Sequence, residues 1–279
     1  MPQTVIEVFE ECVELSFMLR PFTELIKQFR MILRISLNDV KKKYAGSALG
    51  LLWAFLYPLL FLGVYSIVYA YVFQVRFLEL GTTDYILVIF CGLIPFLGFS
   101  ESVQTGLSSV TANSGLIKNT MFPIEYVPVK TIFSAQVTQI AGSIILLCAL
   151  TYFGKLSITT PLMIVIWLLQ LMFQIGLVWI LSSLNVIARD LQSAIGIIMI
   201  MLMMLSPIAY PVDAIPAELT KFVNINPLFS FIVSYQNVLM YNKLPSLRDW
   251  GMMLGMAFGF YIIGYYFFMQ MKKVFSDNV

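Results

Sequence analysis

Six stretches of about twenty residues in this chain are almost free of charge, near 51–73, 85–108, 131–153, 161–187, 191–210 and 250–270. At 1.5 Å per residue, a helix of that length crosses a bilayer core of about 30 Å. The runs are continuous and do not alternate, which excludes the strand pattern of a membrane barrel. Backbone facing lipid has no water to bond, so each run must satisfy its own amides as a helix. The pattern predicts an all-α polytopic membrane protein.

Composition narrows the chemistry. Only 11% of the 279 residues are charged and 59% are apolar, against roughly 25% charged in soluble domains. There is no histidine, which excludes Ser-His-Asp and Cys-His nucleophiles and any His-ligated metal. Cys12, Cys91 and Cys148 show no CxxC spacing and read as small apolar residues. No metal or cofactor is expected in this chain. Nor is there a GxxxxGK[ST] loop, since Gly154-Lys155 is followed by Leu156. If ATP drives this protein, another polypeptide must bind it.

Charge also predicts orientation. Arg30, Arg34, Lys41, Lys42 and Lys43 precede the first run, and Lys118, Lys130, Arg189, Lys272 and Lys273 fall on the same side. The other side holds Arg76, Lys155, Lys221, Lys243 and Arg248, largely offset by Glu79, Asp84, Asp213, Glu218 and Asp249. The positive-inside rule then places both termini in the cytoplasm. The first fifty residues are too charged for a cleaved signal peptide, so the first span itself is the targeting signal.

Phe22, Leu25, Ile26, Phe29, Ile32, Leu33 and Val40 recur at helical spacing among basic residues. This predicts an amphipathic helix over 22–48, lying on an anionic membrane surface or capping a small soluble unit. Residues 1–21 form an extension that alternates acidic and apolar residues and is open between strand and helix.

The first run carries an aromatic at every fourth position: Trp53, Tyr57, Phe61, Tyr65, Tyr69 and Phe73. Four residues turn a helix by about 400°, so the rungs form a slowly winding stripe. Interfacial anchoring accounts for Trp53 and Phe73. The hydroxyls of Tyr57, Tyr65 and Tyr69 would be stranded in hydrocarbon unless bonded, and a polar conduit satisfies them. Rings with hydroxyl tips suit sugars, which offer C–H faces for stacking. The last run repeats the theme with Phe260, Tyr261, Tyr265, Tyr266 and Phe267.

Three further features bear on mechanism. Glu101 is the one acidic residue well inside a run; among SESVQTGLSS it reads either as structural, near the cytoplasmic end, or as lining a polar path. A single intramembrane acid is poor support for ion-coupled transport, and sparse acids without histidine argue against a membrane glycosyltransferase or acyltransferase. The 109–130 link holds a short apolar–basic segment, Leu116 to Met121, suited to a partner's groove or to an ordinary loop. Between spans five and six, Pro211, Pro216, Pro227 and Pro245 cut 211–249 into pieces, predicting two short helices meeting at NINP. They form either an outer gate or an interfacial hairpin.

At these residues the chain resembles the permease subunit of type-2 ABC exporters for cell-surface polysaccharides, the O-antigen, capsule and teichoic-acid group. LNDVKKKYAGSALGLLWAFLYPLL is similar to the family's entry to span one, with Lys43-Tyr44, Ser47, Leu49-Gly50, Trp53 and Pro58. The second signature matches at Gly92-Leu93, Pro95, Asn113, Leu116-Ile117-Lys118 and Phe122-Pro123, and LNVIARDLQSAI and SPIAYPVDAIP…NPL complete it. The resemblance covers about residues 30–270. Phe96 and Phe99 stand where many members have Trp, and residues 1–20 exceed the shorter members.

The resemblance implies a homodimer of six-helix permeases over 49–279, bound to two ABC nucleotide-binding subunits that hold ATP and Mg. It implies an interface helix over 22–48. A coupling helix is implied near 112–122, with Leu116, Ile117, Lys118, Asn119 and Phe122 at the ATPase contact. Periplasmic gate helices are implied near 213–245, with Pro216, Asn226 and Pro227. Lys43, Tyr44, Glu101, Arg189 and Asp190 become cytoplasmic polar positions, and the aromatics of spans one and six the substrate path. The cargo implied is a polyprenyl-linked glycan leaving through the bacterial inner membrane, with O-antigen leading and teichoic acid, capsule, a drug or a lipid as alternatives. Membrane lipid is the surrounding partner, and nucleic acid is not expected.

Overall fold

The computed structural model describes residues 2–72, 81–113, 115, 123–210 and 226–278. Among them the chain is all helical. Helix α1 spans Pro2–Tyr44, α2 Trp53–Ser66, α3 Thr82–Leu107, α4 Ser109–Ala112 and α5 Tyr126–Tyr152. Then follow α6 Leu162–Ile187, α7 Leu191–Leu205, α8 Phe229–Leu239 and α9 Leu247–Asn278. A 3-10 turn, Gly50–Leu52, leads into α2, and a π-helical stretch, Ile67–Val72, follows it.

Among the described residues, five segments are long and apolar enough to cross a membrane: Gly50–Tyr69, Thr82–Leu107, Tyr126–Tyr152, Leu162–Ile187 and Leu247–Lys272. Their ends follow local chemistry. Gly154 takes φ +65°, and Lys155 N–H bonds Leu150 O at 2.8 Å, closing α5 with a left-handed cap. Pro161 sits at the N-cap of α6, where its missing N–H costs nothing. Residues 2–20 are helical and continuous with the following segment through Pro21, so one helix crosses the boundary expected near residue 22.

α3 is the axle of the bundle. It is buried on almost every side, which explains why its apolar residues show no single face. Gly98 and Gly106 let neighbours approach it: a Cβ on Gly98 would lie 2.2 Å from Gln139 Oε1, and one on Gly106 would lie 2.5 Å from Val178 Cγ1. α6 and α9 touch backbone to backbone, since a Cβ on Gly176 would fall 2.2 Å from the Phe260 carbonyl carbon. Small residues at such a crossing permit the van der Waals contact that holds membrane helices together. Between α3, α5, α6 and α8 runs a buried polar seam. Gln136 Nε2 donates to Gln174 Oε1 at 2.8 Å and to Ser102 Oγ at 2.9 Å; Gln170 Nε2 donates to Pro95 O at 2.8 Å; Tyr235 OH donates to Gln170 Oε1 at 3.1 Å.

The run expected to span 191–210 departs from expectation. Its helix, α7, stops at Leu205 after 15 residues, about 22 Å at the helical rise. Pro207 cannot continue the ladder, and the irregular chain beyond must find partners inside the protein. It does so: Tyr85 OH donates to Ala209 O at 2.6 Å, Gln236 Nε2 to Pro207 O at 3.0 Å, Tyr210 OH to Leu205 O at 2.8 Å, and Asn226 Nδ2 to Ser206 Oγ at 2.8 Å. Gln236 belongs to α8, an 11-residue helix buried against α3, α6 and α9. Asn226 Oδ1 accepts Leu228 N–H at 2.9 Å and turns the chain into α8. The Gln236→Leu variant strands the Pro207 carbonyl in the interior. It is expected to lose about 1–3 kcal/mol, read as a lower unfolding temperature in detergent, whereas an unchanged midpoint would mean the carbonyl finds another donor.

Candidate functional site

The aromatic stripe stands on α2, within the least buried of the five membrane-length segments, Gly50–Tyr69. Trp53 and Tyr57 are exposed, and Phe61, Tyr65 and Tyr69 are half-buried. The rings pair along the helix, Tyr57 with Phe61 at 5.1 Å between centroids and Tyr65 stacked on Tyr69 at 5.2 Å. The turn per residue changes in the π-helical stretch from Ile67, so uniform winding holds only through Tyr65. Phe73 lies outside the described residues. Phe61, Val64, Tyr65, Val68 and Tyr69 form one wall of a groove of about 500 Å³. Ile200, Met203 and Met204 of α7 form the other.

The last span differs from expectation. Tyr261 and Tyr265 do not share that groove; they are buried in the core against Trp179, at centroid distances of 5.2 and 5.6 Å. Their hydroxyls, expected to require a polar conduit, find partners on α1 instead. Tyr261 OH donates to Pro21 O at 3.2 Å, and Tyr265 OH donates to Glu24 Oε2 at 2.5 Å. Within one subunit these two rings fasten α1 to α9. Burial alone would raise the Glu24 carboxyl, but the bonds from Tyr265 and Arg20 outweigh it and hold the group below the ordinary carboxylate value.

The polar positions expected on the cytoplasmic side fall into two places. Lys43 donates to Glu101 Oε1, and its ammonium lies 5.3 Å from the centre of the Tyr44 ring. Partial burial would lower the Lys43 pKa, yet the Glu101 carboxylate overrides it and the ammonium sits above the usual lysine value. Arg189 and Asp190 stand elsewhere, exposed in the turn between α6 and α7. Leu116, Ile117, Lys118, Asn119, Phe122 and Pro216 lie outside the described residues. Asn226 is buried, and Pro227 follows it into α8.

Sequence reasoning missed the ion pairs at the N-terminal base of α5. Lys130 donates to Asp39 Oδ2 at 2.6 Å, and Lys272 to Glu125 Oε2 at 2.9 Å. The partners are 91 and 147 residues apart, so no local spacing announces them. Among the described residues, no group of three His, Cys, Asp or Glu gathers as a metal site.

A bundle of apolar helices of membrane-crossing length, with a long N-terminal helix and an open aromatic flank, defines a multi-pass membrane protein. The family model described as ABC-2 type transporter matches residues 28–240, and the chain belongs to that family. It is 28% identical over 235 residues to the O-antigen export system permease protein RfbA of Myxococcus xanthus, covering 82% of this chain and 87% of that one. It is 27% identical over 251 residues to the protein of the same name from Klebsiella pneumoniae, covering 89% and 95%. The polysialic acid transport protein KpsM of Escherichia coli is 23% identical over 207 residues, covering 73% and 79%. The chain is therefore a multi-pass membrane transport subunit.

Proposed function

We propose that this chain is the permease of an ATP-driven exporter that carries a lipid-linked polysaccharide from the cytoplasmic to the periplasmic side of the bacterial inner membrane. O-antigen is the favoured cargo: RfbA relatives match at 27–28% identity and cover up to 89% of the chain, whereas the capsule and polysialic acid transporters match at 22–24%. The observation that carries the reading is the groove between α2 and α7, which Tyr65 and Tyr69, stacked on one another, line together with apolar side chains. In a homodimer, two such grooves would border one passage, and sugar rings would stack along them as the polymer advances.

In this reading α7, though short, completes a set of six transmembrane segments per subunit, with both termini in the cytoplasm. Two ABC nucleotide-binding subunits dock against α1 and the 112–122 segment, supplying the ATP and Mg this chain has no loop to bind. The exposed apolar side chains of α1, Ile26, Leu33 and Leu37, together with Lys27, Arg30 and Arg34, suit a mixed contact with lipid headgroups and a partner. The 213–245 segment gates the outer exit. A transport cycle of this kind requires contacts that differ between two states.

The test is purification of the permease–ATPase complex from its host, with mass spectrometry of the bound lipid. The expected result is a polyprenyl-linked glycan whose repeat matches the surface polymer, together with loss of that polymer from cells lacking the chain. Normal surface polymer without the chain would refute the proposal. A bound capsule repeat would instead assign the capsule cargo.

A further inference from the structure

The ammonium of Lys130 is buried at the N-terminal base of α5, with 4% of its side chain exposed. Orientation needs only positive charge near the membrane face, and the exposed Lys41 and Lys42 already provide it. A buried cation is costly unless it is well paired. Lys130 is paired twice, to Asp39 Oδ2 on α1 at 2.6 Å and to Asn113 Oδ1 just after α4 at 3.0 Å. Its own carbonyl oxygen accepts Ser36 Oγ at 3.0 Å. Ser36 and Asp39 are three residues apart and lie on one face of α1. Two anchors nearly a turn apart stop α1 from rolling against α5. The far end of the 113–125 connection is fastened separately, through Lys272 to Glu125 Oε2 at 2.9 Å and Trp179 Nε1 to Glu125 O at 2.8 Å.

We propose that Lys130 is a positioning residue of the transport cycle. With Asp39 it clamps α1 to α5, and with Asn113 it holds the corner from which the chain leaves α4, so that α1, this corner and α5 move as one body. The proposal rests on the reading above that the ATPase docks on α1 and 112–122. A push on either element then reaches the membrane bundle through α5 without being lost as helix rolling.

The experiment uses the full permease–ATPase complex with a cysteine at Asn119 for crosslinking to the ATPase. Polymer exported per ATP hydrolysed is compared among wild type, Lys130→Met, Asp39→Asn and the charge exchange Lys130→Asp with Asp39→Lys. Each single variant is expected to keep the crosslink and ATP hydrolysis while export per ATP falls about tenfold, because one partner of a buried pair is left unmatched. The exchange is expected to recover most of the loss, which a residue that only fills space would not do. An unchanged ratio in both single variants, with the crosslink retained, overturns the clamp alone. If Lys130→Met fails to assemble, Asp39→Asn and the exchange decide: an assembled exchange variant no better than Asp39→Asn overturns it. Absence of the crosslink in the otherwise unaltered protein overturns the docking reading, and the proposal with it.

Discussion

Gly176→Val is expected to be the most damaging single change in the membrane bundle. Even the first carbon of a side chain at this position would sit 2.2 Å from the Phe260 carbonyl carbon and oxygen and 2.4 Å from the Tyr261 nitrogen. Those atoms are backbone and cannot rotate away, so α9 must retreat. Retreat also opens the contact at Gly264, whose added Cβ would lie 2.1 Å from Gly176 O, and loosens Trp179 from Tyr261 and Tyr265. Overpacking costs about 1–3 kcal/mol where side chains can shift, and more where they cannot, so the variant is expected at or beyond the upper end. The check is the unfolding midpoint of the purified protein in detergent, with Gly251→Ala as the control. Gly251 has no atom within 4 Å of its would-be Cβ, and Ala at an open helical position is neutral or stabilising. Equal midpoints for the two variants would contradict the close α6–α9 crossing.

Joint replacement of Tyr57, Tyr65 and Tyr69 by Leu is expected to abolish export while leaving the subunit folded. Tyr57 is exposed and the other two are half-buried in the wall of the α2–α7 groove, so Leu, which is apolar and helix-forming, preserves the helix. What disappears is three aromatic faces with hydroxyl tips. At about 1 kcal/mol per stacked ring, three rings amount to roughly a hundredfold in the rate of a step that depends on them. Surface polymer measured on gels and polymer-stimulated ATP hydrolysis should fall together, with the complex still eluting as a single species. Unaltered polymer and stimulation would remove these rings from the route. Tyr261→Phe and Tyr265→Phe provide the contrast: they break the bonds to α1 and should lower stability before they touch selectivity.

These two predictions separate what is legible in one dimension from what is not. Uncharged runs declared helices, and the cost of unpaired amides in hydrocarbon leaves no other choice. The NINP break declared the boundary of a short helix, whereas the stop of the 191–210 run before Pro207 and the burial of α8 became visible only in the structure. The resemblance carried by the motifs from Lys43 to Leu228 pointed to a permease family that the match over 28–240 bears out.

Composition could not say which of two aromatic clusters faces outward. The rungs on α2 and the pair on α9 look alike in sequence, yet Tyr261 and Tyr265 are core residues because α1 folds back to supply Pro21 O and Glu24 to their hydroxyls. Nor could spacing reveal which glycine matters. Gly251, Gly255 and Gly259 repeat every fourth residue and meet nothing, while Gly264 meets the backbone of α6. Helical periodicity records that a face exists, and only the packing of one helix on another decides what that face touches. The Lys130–Asp39 pair is the same lesson in charge: the sequence by itself determined a membrane-spanning, helical, positively flanked chain, and the tertiary structure alone brought together partners 91 residues apart.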